Sequence, residues 1–141
     1  MIYVLDACDL LTYLNDEPGS NIVDDLVKKA MDEKITIYIN IINLIEVYYV
    51  FIRGLGREKA TVIIEKIISG PICVVSSVSE EVFQESSRLK ASYKCSLADA
   101  IGLATAIELA GHFVTSDHHE LEAVAEKESV SFLWLPPHPK K

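Results

Sequence analysis

At 141 residues, with 50% hydrophobic and 24% charged positions, the chain has enough apolar mass for a core without disulfides or structural metal, and too much for a disordered or fibrous protein. A formal net charge of −8 argues against non-specific attraction to nucleic acid, which scales with the phosphates that Lys and Arg neutralise. Cys8, Cys73 and Cys95 are odd in number, far apart and in no C-x-x-C pattern, which points to a reducing compartment, small buried thiols and no zinc knuckle.

The chain opens on "MIYVLD", which lacks a basic leader region and reaches an acid at Asp6, so no signal peptide is expected there. Residues 2–5, "IYVL", form a short continuous apolar run of the kind that makes a strand buried on both faces. A short helix follows, then a break at "NDEPGS" around Pro18 and Gly19. Ile22, Val23, Leu26, Val27 and Ala30 repeat with helical spacing over 21–33. "ITIYI", 35–39, is β-branched and strand-like. Helices are predicted over 41–53, up to the "GLG" break, and over 57–68. The apolar stretch 35–52 approaches bilayer length, but Asn40, Asn43 and Glu46 interrupt it, so no membrane span is expected and the protein is placed in the cytoplasm.

"PICVV", 71–75, reads as a third strand. "SEEVFQESSRLKASY", 79–93, begins with a Ser cap and first-turn acids, as helices do. "SLADAIGLATAIELAG", 96–111, is an Ala- and Leu-rich helix with Gly111 expected at its C-terminal cap. "HFVTSD", 112–117, is strand-like and again runs into an acid. A helix from "HHELEAVAEKES" and a last strand "SFLWL", 131–135, complete one domain over 1–136, with 137–141 as an exposed tail. Strands apolar throughout and alternating with helices predict an α/β fold with a parallel sheet between helix layers.

In such sheets the ligand site lies beyond the carboxyl ends of the strands, near the point where strand order reverses. Asp6 follows the first strand and Asp117 follows "FVTS", so both can point into one crevice. Glu46 stands in the most apolar segment of the chain, where an unpaired carboxylate is costly. If its helix begins near Asn40, Asn43 and Glu46 fall three apart on one face. Asp99 lies in the first turn of the "SLADAIGLATA" helix, with Gly102 leaving room beside it.

Each acid also has a plain structural reading. Asp6 suits a turn, Asp117 an N-cap, Glu46 an ion pair with Arg53, and Ser96 with Asp99 a capping box. One shared site needs a single cause where these need four. Clustered carboxylates cannot all ionise without a cation, and hard oxygen donors select Mg²⁺ or Mn²⁺, which can polarise a phosphate oxygen and activate water. No Ser-His-Asp, Cys-His, G-x-G-x-x-G or Walker pattern competes. "DACD" has the wrong spacing for the Asp-x-Asp of a haloacid dehalogenase-type phosphatase.

With "YVLDACDLLTYLNDE", "INIINLIEVYYVFIRGLG" and "SLADAIGLATAIELAGHFVTSD" in this order, the sequence resembles PIN-domain proteins, specifically the toxin ribonucleases of VapBC-type toxin–antitoxin pairs. The resemblance implies a three-layer α/β/α sandwich and metal-dependent endoribonuclease activity with Mg²⁺ or Mn²⁺ at Asp6, Glu46, Asp99 and Asp117. It further implies supporting roles for Asn43 and Thr115, a homodimer and a cognate antitoxin. A non-catalytic PIN-like module using the acidic pocket for metal or partner docking is the alternative. The chain departs from the family pattern at Ala7 and Cys8, where relatives often carry a small hydroxyl residue. Asp9 either joins the site or caps the next helix, capping being the commoner use. His118 and His119 are near enough in sequence to approach a metal, although such histidines are more often solvated. Candidates for holding RNA backbone are scattered: Arg53, Arg57, Lys59, Lys90, Lys94 and the Lys140–Lys141 tail. Surplus apolar surface on "VYYVFI" and the following helix fits the dimer.

Overall fold

A computed structural model describes residues 1–137; 138–141, including Lys140, Lys141 and most of the expected tail, lie outside the described residues. The strands are β1 (Ile2–Leu5), β2 (Thr36–Asn40), β3 (Ile72–Val75), β4 (His112–Thr115) and β5 (Ser131–Trp134). They form one sheet in the order β3-β2-β1-β4-β5, with every neighbouring pair parallel. The helices are α1 (Ala7–Leu14), α2 (Ser20–Met31), α3 (Ile41–Leu55), α4 (Arg57–Ile68), α5 (Glu80–Ser92), α6 (Leu97–Leu109) and α7 (His118–Lys127).

Side chains alternate across each strand, so two adjacent residues feed two different cores. Leu5, Ile37, Ile39 and Val114 turn to one face and pack with Leu10, Val23, Leu44, Val47 and Ile64 of α1–α4. Val4 and Phe113 turn to the other and pack with Val82, Leu89, Leu103, Leu121 and Val124 of α5–α7. Both faces are therefore covered, which is why the strand centres are apolar and the polar residues Thr36, Asn40, His112, Thr115 and Ser131 stand at strand ends. The expected three-layer α/β/α sandwich is the fold of the chain.

Two local details differ from expectation. Gly111 does not take the left-handed cap of α6; Ala110 does, at φ 52°. Gly111 is instead where β1 passes, and a Cβ there would stand 2.7 Å from Ile2 Cγ2 and 3.1 Å from the Ile2 carbonyl oxygen. On α3, Asn43, Leu44, Val47 and Phe51 turn inward, while Ile45, Tyr49 and Val50 are exposed. Glu46 is consequently half-buried rather than enclosed, and the ion pair with Arg53 does not form. Arg53 lies over the Tyr49 ring, 4.9 Å from its centroid.

From β1 the chain winds through α1 and α2 to β2 and on to β3, then crosses to β4 and β5 on the other side. The winding reverses between β1 and β4, whose carboxyl ends lie side by side, Leu5 against Val114. A crevice forms there because the connections leave in opposite directions.

Candidate active site

Asp6 and Asp117 stand at the mouth of that crevice, each just past the end of its strand. Asp6 is buried and caps α1, its Oδ1 accepting the Asp9 N–H at 3.0 Å. Its Oδ2 accepts the Thr115 hydroxyl at 2.8 Å, and the same Thr115 oxygen accepts the Asp117 N–H at 3.1 Å. Thr115 thus ties the two strand ends together. Asp117 caps α7, accepting the Glu120 N–H at 3.2 Å. Asp99 sits in the first turn of α6, its N–H bound to the Ser96 hydroxyl at 3.0 Å.

These acids serve as caps and also share a site. Burial lifts the Asp6 carboxyl to about 6, against the Thr115 and Asp9 hydrogen bonds that favour its ionised form, and Asp117 pushes it further up. Asp99 rises to about 7 through burial and then through the charges of Asp6 and Asp117. From sequence spacing, capping is the commoner of two uses left open for Asp9. It does cap, its Oδ2 accepting the Asp6 N–H at 2.8 Å in a reciprocal box, but it is also fully buried, and its Oδ1 has no hydrogen-bond partner. Burial and then Asp6 hold its carboxyl well above the usual range, with Asp99 adding to the effect. The available signal was the D-x-x-D spacing directly after a strand buried on both faces.

An open cleft of about 520 Å³ leads to this group. Asp99 and Asp117 line it together with Glu46 from α3, Glu120 from α7, and Lys90 and Lys94 at the end of α5. Burial raises the Glu46 carboxyl. Asn43, one turn before Glu46, is buried with its Nδ2 unpaired, facing α6 at Gly102. The space at Gly102 serves Phe113 and Asn43, since a Cβ there would come within 2.8 Å of the Phe113 ring and 3.4 Å of Asn43 Nδ2. Of the described cations that were candidates for holding RNA backbone, Lys90 and Lys94 line the cleft and Arg53, Arg57 and Lys59 do not; those three lie where α3 ends and α4 begins, Arg53 about 10 Å along α3 from Glu46.

Neighbouring groups are committed elsewhere. His118 turns toward β5, with its Nε2 on the Leu135 carbonyl at 2.7 Å and its ring 4.6 Å from that of Trp134. His119 is exposed. Cys8 lines the cleft, but burial and the surrounding acids raise its thiol far up, so it offers no thiolate. A separate recess of about 350 Å³ between α1, α2 and α4 is apolar, with Lys66 as its one charged lining residue among those described, and has nothing to perform acid–base or metal chemistry.

Among the described residues no three His, Cys, Asp or Glu side chains are already arranged to hold an ion. The donor chemistry nevertheless fits a hard divalent cation. Asp9 has a bare buried oxygen, Asp6 is driven toward protonation by burial and by Asp117, and Asp99 by burial and by the charges of Asp6 and Asp117. A small dication with part of its water shell retained removes that repulsion using few protein ligands.

The sequence model of the PIN domain family matches residues 3–127. No curated protein gives a significant match. Among solved structures the chain is similar to VapBC2 from Rickettsia felis, a complex bound to a promoter DNA fragment, at 17% identity over 96% of this chain and 99% of that one, TM-score 0.76. It is similar to DNA-bound VapBC from Salmonella typhimurium, at 17% identity over 94% and 97%, TM-score 0.72. It is also similar to VapC20 from Mycobacterium tuberculosis, a sarcin–ricin loop cleaving toxin, at 14% identity over 90% and 95%, TM-score 0.61. Among the described residues, no helix is long and apolar enough to cross a membrane.

Proposed function

Because the chain belongs to the PIN-domain family, we propose that it is a metal-dependent endoribonuclease and the toxin of a toxin–antitoxin pair, acting in the cytoplasm. The observation that carries this reading is the convergence of Asp6, Asp99 and Asp117 at the switch point, raised or flanked by one another's charge, with Asp99 and Asp117 lining a cleft and Asp6 buried behind them. Asp6, Asp99 and Asp117 would hold Mg²⁺ or Mn²⁺, with Glu46 reaching it from the α3 wall. When bound, such an ion polarises a phosphodiester oxygen and lowers the pKa of a water.

The remaining work belongs to the chain. Thr115 fixes the Asp6 carboxylate and the Asp117 backbone with one hydroxyl, so the two acids keep their relative placement. Glu46 is half-buried with a raised carboxyl, suited to orient a water and take its proton. The water oxygen bonds to phosphorus as the bond from phosphorus to the 3′-oxygen breaks, leaving a 5′-phosphate and a 3′-hydroxyl. Structured RNAs incubated with the protein and Mg²⁺ should yield 5′-phosphorylated fragments, and EDTA should abolish them. Equal cleavage with EDTA would refute metal dependence. Thermal stabilisation by Mg²⁺ with no RNA turnover would favour the docking module instead.

The VapBC assemblies to which the chain is similar support an antitoxin partner. The exposed apolar side chains of α3 and α4, Ile45, Tyr49, Val50, Leu55 and Val62, support a homodimer. Sedimentation at micromolar concentration should report two chains; a monomer would count against it.

A further inference from the structure

In a protein of net charge −8, two cations on the wall of an acidic cleft are conspicuous. Lys90 lies in the last turn of α5, and Lys94 two residues past its end, on the turn into α6; both line the cleft beside Asp99, Asp117, Glu46 and Glu120. Among the described residues neither makes a salt bridge or side-chain hydrogen bond, although four carboxylates share the cleft with them. Arg88, two residues before Lys90, is the reverse. Its guanidinium binds Glu128 at 2.8 and 3.1 Å and Glu85 at 2.7 and 2.9 Å, so its charge is already neutralised within the protein.

The turn carrying Lys94 is also anchored. Tyr93 donates its hydroxyl to Glu128 at 2.6 Å, and Cys95 on the other side is buried. Arg88, Tyr93 and Glu128 thereby clamp the end of α5 to the end of α7, fixing the backbone on which the two free ammonium groups stand. Unpaired cations on a fixed wall, beside a site that must receive a polyanion, have one chemically matched use.

We propose that Lys90 and Lys94 are the phosphate-positioning residues of the cleft, holding backbone phosphates beside the one that reacts and setting the path of the RNA along the end of α5. This rests on the ribonuclease reading. The chain then meets RNA through two local charges, with its overall field opposed, so binding should depend only weakly on salt.

The test uses full-length protein with Lys90→Gln, Lys94→Gln and both, with Arg53→Gln and Arg57→Gln as controls. Binding of a short fluorescent single-stranded RNA is followed by anisotropy in fixed Ca²⁺, from about 50 to about 200 mM monovalent salt. Each cleft substitution should reduce the affinity lost across that range by about two- to threefold, as expected for one phosphate contact, and the controls should match wild type. In Mg²⁺, the same variants should raise KM and leave kcat nearly unchanged. Cleavage by wild type with salt dependence and KM unaltered in the double variant would overturn the inference while leaving the nuclease intact, as would equal effects from Arg53→Gln and Arg57→Gln. RNA bound but never cut by wild type would remove the nuclease and leave the lysines to be judged on binding alone. A wild type that binds no RNA overturns both.

Discussion

Asp6→Asn should reduce Mg²⁺-dependent RNA cleavage by about a hundredfold or more, equivalent to about 3 kcal/mol of lost transition-state stabilisation, while the metal-free protein remains folded. The substitution separates two roles that one carboxyl performs. As a cap, Asp6 needs one oxygen to accept the Asp9 N–H, and Asn caps about as well as Asp. Its amide can also meet the Thr115 oxygen in place of the carboxylate that now accepts the Thr115 proton. What Asn cannot supply is negative charge at a hard-metal site. Asp117→Asn makes the same separation on α7, keeping the bond from the Glu120 N–H and losing the charge. If both variants cut RNA at the wild-type rate, the acids are caps and nothing more. If both merely unfold, the packing role has been underestimated, and circular dichroism with thermal melts distinguishes that from lost chemistry.

That prediction depends on features the sequence displayed unevenly. Asp6 and Asp117 were legible because each comes within two residues of the end of a strand with an apolar centre, a pattern that specifies a parallel sheet and hence the edge where acids accumulate. Glu46 was found for a partly mistaken reason. Its apolar neighbours suggested enclosure, but Ile45, Tyr49 and Val50 face outward, so Glu46 opens onto the cleft without an ion-pair partner being demanded. Asp9 and Lys90 were harder to assign. Capping spacing is a local property, whereas the full burial of Asp9 depends on α1 lying under the sheet edge, and the placement of Lys90 depends on how α5 docks against α6 and α7. The misassigned cap at Gly111 has the same origin, since the close approach of Ile2 comes from β1, more than a hundred residues earlier. Local rules therefore located the elements and the edge, and tertiary contact decided which polar groups share a cavity.

The electrostatics of this cavity make a second strong prediction. Without metal, stability should fall as pH rises from about 4 to about 7, and Mg²⁺ should restore it mainly at the upper end. The sign follows from proton counts. An unfolded Asp releases its proton near pH 3.9, whereas Asp6 keeps its proton to about 6 and Asp99 to about 7. Across that window the native state binds more protons than the unfolded one, so unfolding becomes easier with each step upward in pH. Asp6 is buried, and its shift of roughly two units corresponds to about 3 kcal/mol. Asp99 is partly exposed and coupled to the same charges, so it adds less than its shift alone would give. A divalent ion needs ionised ligands, so it competes with protons for these carboxyls and gains most where they have been lost. Melts in EDTA and in Mg²⁺ at about pH 5 and about pH 8 should therefore show a small metal-induced rise in Tm at the lower pH and a larger one at the higher. Asp6→Asn should flatten the EDTA curve in part, the remainder belonging to Asp99 and to Asp9, whose buried carboxyl is also held well above the usual range, and should diminish the Mg²⁺ response. A metal-free stability that climbs through this window, or a Mg²⁺ effect equal at both pH values and in both proteins, would show that these acids do not share a cation.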